Sequence, residues 1–323
     1  MAEQRYWIGF DLGGTKMLVT VFDDSLKKAS QVKRKTKSPG GEFNVARIRE
    51  TIEQLLMEWN GAKESVAGIG LAVPGAFDLD SGIIHSAPNL GLVNYDIKTD
   101  IEKAFGIPVS VVNDVDAGTY GEYIAGAAKK SRCVLGVFPG TGIGGGCIYK
   151  GEILRGAKSS VVEIGHMQVD SNGLLCGCGK RGCLETIASR LAIAGQAAIA
   201  AYRGQAPALY AAAGYDLSKM KSGVLSASVA AGDAVIEDIL RHAARILGKG
   251  IANVVNLIAP DIILLGGGLV EAMPSLYLEE VSAAIDPAVF SAYRGTYRIV
   301  VASLGDDAVT LGAAADIRNS TSR

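Results

Sequence analysis

At 323 residues, 49% of them hydrophobic, the chain is long enough for two domains with sizeable cores. Its formal net charge of −1, with no long basic stripe, argues against nucleic acid as the main partner. No apolar run reaches membrane-spanning length, and the first strand begins too early to leave room for a targeting peptide or a DNA-binding extension, so a cytoplasmic protein is expected.

In chain order, two strands are predicted at Tyr6–Asp11 and Lys16–Phe22, joined by a tight turn at Gly13-Gly14. A third follows at Ser30–Thr36, overlapping the basic run Lys33-Arg-Lys-Thr-Lys37, which reads as a solvated strand or loop. From Gly41 to Trp59 the apolar residues Ile48, Ile52, Leu55 and Leu56 recur at helical spacing. Val66–Val73 is a buried strand ending at Pro74-Gly75, and Val109–Val112 another ending at Asn113-Asp114. A second unit of similar design starts near Arg132: strand Cys133–Phe138, turn Pro139–Gly142, returning strand Gly144–Tyr149. Residues 186–258 are Ala-rich and helical, Asp261–Leu265 is a strand running into Gly266-Gly-Gly268, Arg298–Leu304 is a late strand, and Ala308–Ile317 is a final helix. Strands alternating with helices give an α/β architecture, and the repeated strand–turn–strand unit suggests duplication with a cleft between the halves.

Three thiols fall within eight residues in Cys176-Gly-Cys-Gly-Lys-Arg-Gly-Cys183-Leu-Glu185, and His166 stands ten residues upstream in Glu163-Ile-Gly-His166. Three thiolates and one imidazole are the donor set of a closed tetrahedral zinc site, with Gly177 and Gly179 expected to relax the knuckle's backbone. The alternatives are core cysteines and a disulfide from Cys183 to Cys176 or Cys178, the latter disfavoured because no secretory signal is evident. Cys133 and Cys147 sit in apolar runs and read as core, and His85 and His242 have no motif around them. A catalytic zinc would need an open position, which four protein ligands close.

Glycine turns at strand ends expose backbone N–H groups to anions, and this chain has three, at 13–14, 140–146 and 266–268. Together they favour a nucleotide with several phosphates. No Gly-x-x-x-x-Gly-Lys-Ser/Thr occurs, and the first two turns lead into strands, so neither a P-loop nor a dinucleotide fingerprint fits.

Asp11-Leu-Gly-Gly-Thr-Lys16 resembles the first phosphate motif of the actin/sugar-kinase superfamily, Gly140-Thr-Gly-Ile-Gly-Gly-Gly146 its second, and Leu265-Gly-Gly-Gly-Leu269 its adenosine motif. With Glu163-Ile-Gly-His166 and the Cys-x-Cys-x4-Cys-x-Glu signature, the chain resembles the ROK family (repressor, open reading frame, kinase), and glucokinases most within it. The resemblance implies two RNase H-like, actin-like ATPase domains around a cleft with a zinc knuckle in the larger. The smaller N-terminal domain would comprise residues 1–117 plus about 306–323, and the larger 118–305. It implies ATP-dependent phosphorylation of a hexose 6-hydroxyl with Mg2+ and a structural Zn2+, in a homodimer or homotetramer. Glucose is the expected substrate. An N-acetylhexosamine, mannose or fructose is the alternative within the class, and a non-catalytic sugar sensor the alternative outside it.

By that resemblance Asp114 is the general base, which a poorly nucleophilic sugar hydroxyl requires. The competing reading makes it a cap for the helix starting near Val115. Gly75, Asn89, Asn113, Glu163, His166 and Glu185 would complete the sugar pocket, His166 also holding zinc with Cys176, Cys178 and Cys183. Asp11 would orient the metal; Gly13, Gly14, Thr15, Lys16, Gly140, Thr141, Gly142 and Gly144 would meet the phosphates; Gly266, Gly267 and Gly268 would meet the adenosine. Lys16 reads equally as a surface lysine. One departure is Val161-Val162, where the family often has Ala-Gly, which puts the sugar's identity in doubt. Residues 190–225 carry no assignable motif.

Overall fold

The computed structural model describes residues 4–14, 16–36, 41–87 and 90–321, with only the backbone of 41–44. Thr15 and Asn89 lie outside the described residues. By contact the chain divides into two compact units of near-equal size. The first is Met1–Lys130, Cys147–Val161 and Ser303–Arg323; the second is Ser131–Gly146 and Val162–Ala302.

Along the chain the elements are β1 (Tyr6–Leu12), β2 (Lys16–Asp23), β3 (Lys28–Lys35), α1 (Gly41–Glu58), β4 (Val66–Val73), β5 (Ala76–Phe77), β6 (Ile83–Ala87), β7 (Leu92–Asp96), α2 (Ile97–Phe105), β8 (Val109–Asn113) and α3 (Asp114–Ile124). They continue with β9 (Cys133–Pro139), β10 (Ile143–Tyr149), β11 (Glu152–Ile153), α4 (Glu185–Ala188), α5 (Arg190–Tyr202), α6 (Pro207–Ala213), α7 (Ser222–Ala230) and α8 (Ala234–Ile258). The chain closes with β12 (Ile262–Leu265), α9 (Gly268–Ala272), α10 (Pro274–Ile285), β13 (Arg298–Val301) and α11 (Asp307–Thr321).

One five-stranded sheet runs β3-β2-β1-β4-β8, and another runs β11-β10-β9-β12-β13. Each keeps the same order of its own strands, third-second-first-fourth-fifth, so the duplication expected from the two strand–turn–strand units is present. In the first sheet β1 and β2 are antiparallel, while β1, β4 and β8 are parallel in the registers Asp11↔Ala72 and Val73↔Asn113. In the second, β9, β12 and β13 are parallel.

Helix α11 lies directly on β1 and β4 because glycine removes the side chains between them. A Cβ at Gly9 would stand 1.8 Å from Thr310 O, and one at Gly70 2.0 Å from Ala313 O. The crossing of α3 with α11 is as close: a Cβ at Gly312 would meet Ala117 O at 1.8 Å, and one at Gly121 would meet Ala308 O at 2.0 Å. This packing is why the contact division differs from the expected boundary at 117/118. That boundary falls inside α3, and a helix pressed along its length against α11 stays with it. Buried Glu122 adds a polar tie, its carboxylate accepting from the N–H groups of Ala127, Ser303 and Leu304 at 2.8, 2.7 and 2.7 Å. The second unit's core is aliphatic, with Leu240, Leu247, Ile251 and Val255 of α8 fully buried against β9 and β12 residues such as Leu135, Val137, Ile263 and Leu265. No described helix is long and apolar enough to cross a membrane.

Strands β5–β7 and helix α2 have no counterpart among the elements predicted from sequence. The three short strands form a sheet of their own, ordered β5-β6-β7. Its turn is built by Asp78, whose Oδ1 accepts from Asp80 N, Ser81 N and Ser81 Oγ. Cys133 and Cys147 are core residues as expected, and His85 and His242 are both exposed.

Candidate active site

In the first unit the candidate residues sit where the parallel strands end. Asp11 is the penultimate residue of β1, Gly75 follows β4 by two residues, and Asn113 closes β8. Parallel register brings these strand ends to one edge of the sheet, the place where open α/β sheets bind ligands. Gly75 has φ +102°, and a Cβ there would approach Ser86 O to 2.4 Å, so the chain turns only with glycine.

Asn113, not Asp114, is the N-cap of α3. Its Oδ1 accepts from Val115 N at 2.8 Å and Asp116 N at 3.3 Å, which satisfies two of the helix's open donors. This corrects the capping alternative for Asp114 and leaves Asn113 with its amide N–H2 as the group that can reach a ligand. Asp114 is the first helical residue, half-buried, with Oδ1 accepting from Val115 N at 3.0 Å.

Asp11 shows the electrostatic consequence. Burial, and then the negative charge of Asp114, push its carboxyl up to about 7, against a weaker pull from Lys16. Lys16 is less available than expected: its ammonium is ion-paired to Asp306, which also takes Lys33 at 3.1 Å.

The second unit holds the candidate zinc knuckle. The ligand atoms of His166, Cys176, Cys178 and Cys183 all lie within 4.8 Å of one another. Cys178 Sγ and Cys183 Sγ are 3.6 Å apart, and Cys176 Sγ is 3.6 Å from His166 Nδ1. A tetrahedral ion with bonds of about 2.3 Å to sulfur requires edges of about 3.8 Å, so the four atoms fit zinc, and the spacing is far from the roughly 2.05 Å of a disulfide. The loop is closed by Cys176 N donating to Lys180 O at 2.7 Å and Gly179 N donating to Cys176 O at 2.9 Å. Gly179 takes φ +85° as expected. Gly177 has no positive φ, and a Cβ placed on it would meet nothing within 4 Å, so the knuckle does not need glycine there. The glycine that is needed is Gly182, at φ +73° and with Asp170 O only 1.5 Å from where a Cβ would be. Burial pushes the Cys183 thiol up to about 12, while the N–H of Lys180 first of all holds Cys178 below its usual range.

Glu185 joins this knuckle to the second glycine turn. Its Oε1 is 3.8 Å from Cys176 Sγ, and its Oε2 accepts from Ile143 N at 3.0 Å. The approach is close enough that a Cβ at Gly142 would meet Oε2 at 2.3 Å, which explains glycine at that position. Within the turn Gly140 N donates to Gly142 O at 2.8 Å. Gly140 therefore closes the turn and is not an open phosphate donor, contrary to expectation; the amides of Thr141 and Gly142 have no protein acceptor among the described residues. Gly144 lies on β10, half-buried.

Glu163 is exposed at the start of the short turn that carries His166, whose N–H donates to Glu163 O at 3.0 Å. Val162 before it has φ +63°, a conformation that costs a β-branched residue strain. The sequence departure noted at this position thus falls on a backbone geometry suited to glycine. In the third turn, Gly267 at φ +81° caps the five-residue helix α9, and a Cβ at Gly266 would strike the Phe138 ring at 2.4 Å. Two participants have no sequence signal: Asp306, which occupies Lys16, and Arg190, whose Nη2 donates to Thr141 Oγ1 at 2.7 Å.

A family model described as the ROK family matches residues 7–319. A glucokinase from Halalkalibacterium halodurans is 32% identical over 321 residues, spanning 96% of this chain and 94% of the relative. The xylose repressor of Bacillus subtilis is 30% identical over 264 residues, 81% of this chain and 64% of the repressor. Among solved structures, a ROK family glucokinase from Streptomyces griseus in complex with glucose and AMPPNP is similar with a TM-score of 0.82 at 30% identity, covering 96% of this chain and 98% of that one.

Proposed function

The chain belongs to the ROK family, and we propose that it is an ATP-dependent hexose kinase that phosphorylates the 6-hydroxyl of glucose with Asp114 as general base. The observation that carries this reading is the Asn113-Asp114 step at the end of β8, electrostatically coupled to Asp11 at the end of β1. A carboxylate at a strand end and helix start is held rigidly. Asp114 takes the proton of the sugar hydroxyl as that oxygen attacks the terminal phosphoryl group. Asn113, its Oδ1 committed to the cap, donates from its amide to an outer sugar hydroxyl.

Glu163, His166 and Glu185 would bind further sugar hydroxyls, and Gly75 and Asn89 are further candidate sugar contacts. His166, whose Nδ1 faces Cys176 Sγ, would help hold zinc and would leave Nε2 to donate to a sugar hydroxyl. Gly13, Gly14, Thr15, Thr141, Gly142 and Gly144 meet the phosphates, and Gly266–Gly268 the adenosine. Asp11 would hold Mg2+, which supplies charge neutralisation at the phosphates.

Glucose is favoured by the similarity to glucokinases across nearly the whole chain. An N-acetylhexosamine, mannose or fructose would use the same groups. The similarity to the xylose repressor supports a second reading, a sugar-binding regulator without turnover.

A coupled ADP-release assay over a panel of hexoses separates these readings. The expected result is turnover with glucose above the other sugars, and a loss of about 10²–10⁴-fold in kcat for Asp114→Asn with sugar binding retained. Sugar-induced stabilisation with no turnover for any sugar would establish the regulator instead.

A further inference from the structure

Arg190, the first residue of α5, grips the second glycine turn at two points. Its backbone N–H donates to Gly140 O at 2.9 Å, and its Nη2 donates to the Thr141 hydroxyl at 2.7 Å. The residue is fixed in place because Ser189 caps the 13-residue helix, accepting from Ala192 N at 3.2 Å. Among the described residues no carboxylate pairs with this guanidinium, whereas Lys16, the cation that sequence singles out, is already matched by Asp306. A guanidinium has five N–H donors, and one is used here.

The surroundings share one chemistry. The amides of Thr141 and Gly142 lack protein acceptors among the described residues. The Thr141 hydroxyl, accepting from a cation, is polarised and turns its own proton to a further acceptor. Cation, hydroxyl and two amides on one exposed turn form a donor set for an anionic oxygen cluster. The neighbouring carboxylate, Glu185, is directed to Ile143 N.

We propose that Arg190 binds the phosphoryl donor: with the hydroxyl it polarises, it neutralises the terminal phosphates of a nucleoside triphosphate held at this turn. The inference rests on reading residues 140–146 as a phosphate turn. It adds a cation that no motif predicts and a preference for the more highly charged nucleotide.

The test is calorimetric titration of the full chain with ATP, ADP and adenosine, for the unaltered protein, Arg190→Ala, Arg190→Lys and Thr141→Val, with melting temperatures alongside. Arg190→Ala is expected to weaken ATP by about 10- to 100-fold, as befits loss of a charge-assisted bond to phosphate, ADP by less, and adenosine by under twofold. Arg190→Lys recovers part of the loss, because it restores the charge and not the planar fork. Thr141→Val shows the same selectivity for ATP on a smaller scale. An ATP affinity within twofold of the unaltered protein in Arg190→Ala overturns the proposal. So does an equal loss for ATP and adenosine, which would make Arg190 a tether of the turn alone. If the unaltered protein binds adenosine and no better with added phosphates, the phosphate-turn reading fails first.

Discussion

Asp11 lies at the end of β1 and Asp114 directly after β8, a strand of the same sheet, and the charge of one is felt by the other. The folded pKa of Asp11, about 7, lies above its ordinary 3.8, so protonation favours the folded state. Its ionisation therefore destabilises the metal-free protein above about pH 7, and the penalty is relieved as pH falls toward about 4. Asp11→Asn is expected to raise the melting temperature at pH 8, by about 2–4 °C per kcal/mol relieved, with the difference closing as pH drops through that window. Differential scanning calorimetry across pH checks it. A melting difference that stays flat from pH 4 to 8 would mean the carboxyl is not perturbed. At this scale the sequence singles out candidate residues and is silent on how they are occupied. Asn113 and Lys16 are both legible as polar groups in motifs, yet only coordinates reveal that one caps α3 and the other is held by Asp306. Arg190 carries no signal because its role depends on α5 starting beside a turn about fifty residues away in sequence.

Among the elements, strands are the easiest to read, since their apolar runs are bounded by Gly, Pro or Asn-Asp. Val66–Val73 matches its expected bounds to the residue, and β1, β2, β8 and β9 match to within one or two. The small sheet β5-β6-β7 is hidden because two- to five-residue strands bury too few side chains to show a period. Helix α2 is absent from the expected elements although its marks are in the sequence: Asp96 accepts from Thr99 N, Gly106 closes it at φ +68°, and Ile97, Ile101 and Phe105 recur every four residues and are buried. The zinc knuckle is legible whole because its ligands are local. Its isolated bridges and turns bury little apolar surface, so the ion should contribute much of its stability. Stripping the metal with a chelator is expected to lower the melting temperature by more than about 5 °C and to expose the thiols of Cys176 and Cys183 to a thiol reagent. Zinc should restore both readouts. Unchanged melting and unchanged thiol protection after complete metal removal would refute a structural zinc.

Across the full chain, the order of parts in sequence does not match the order of parts in space. The first unit takes strand β11 and helix α11 from far downstream of β8. Trp7 and Phe22 are buried against Leu311, Ala314 and Ile317 of α11. A fragment of residues 1–130 would leave that face of β1 and β4 in water, and is expected to lack a cooperative thermal transition by circular dichroism; a sharp melt from the fragment alone would contradict the packing. The α/β class, the duplicated strand–turn–strand plan, the three-cysteine, one-histidine cluster and the family were all readable before any coordinates, because each is written in short segments whose chemistry is local. It took the folded chain to reveal that α3 stays with α11, that Glu185 braces a glycine turn, that Val162 sits in a left-handed conformation and that Arg190 faces Thr141. The contacts among these join segments tens of residues apart in sequence, and no local pattern encodes such distances.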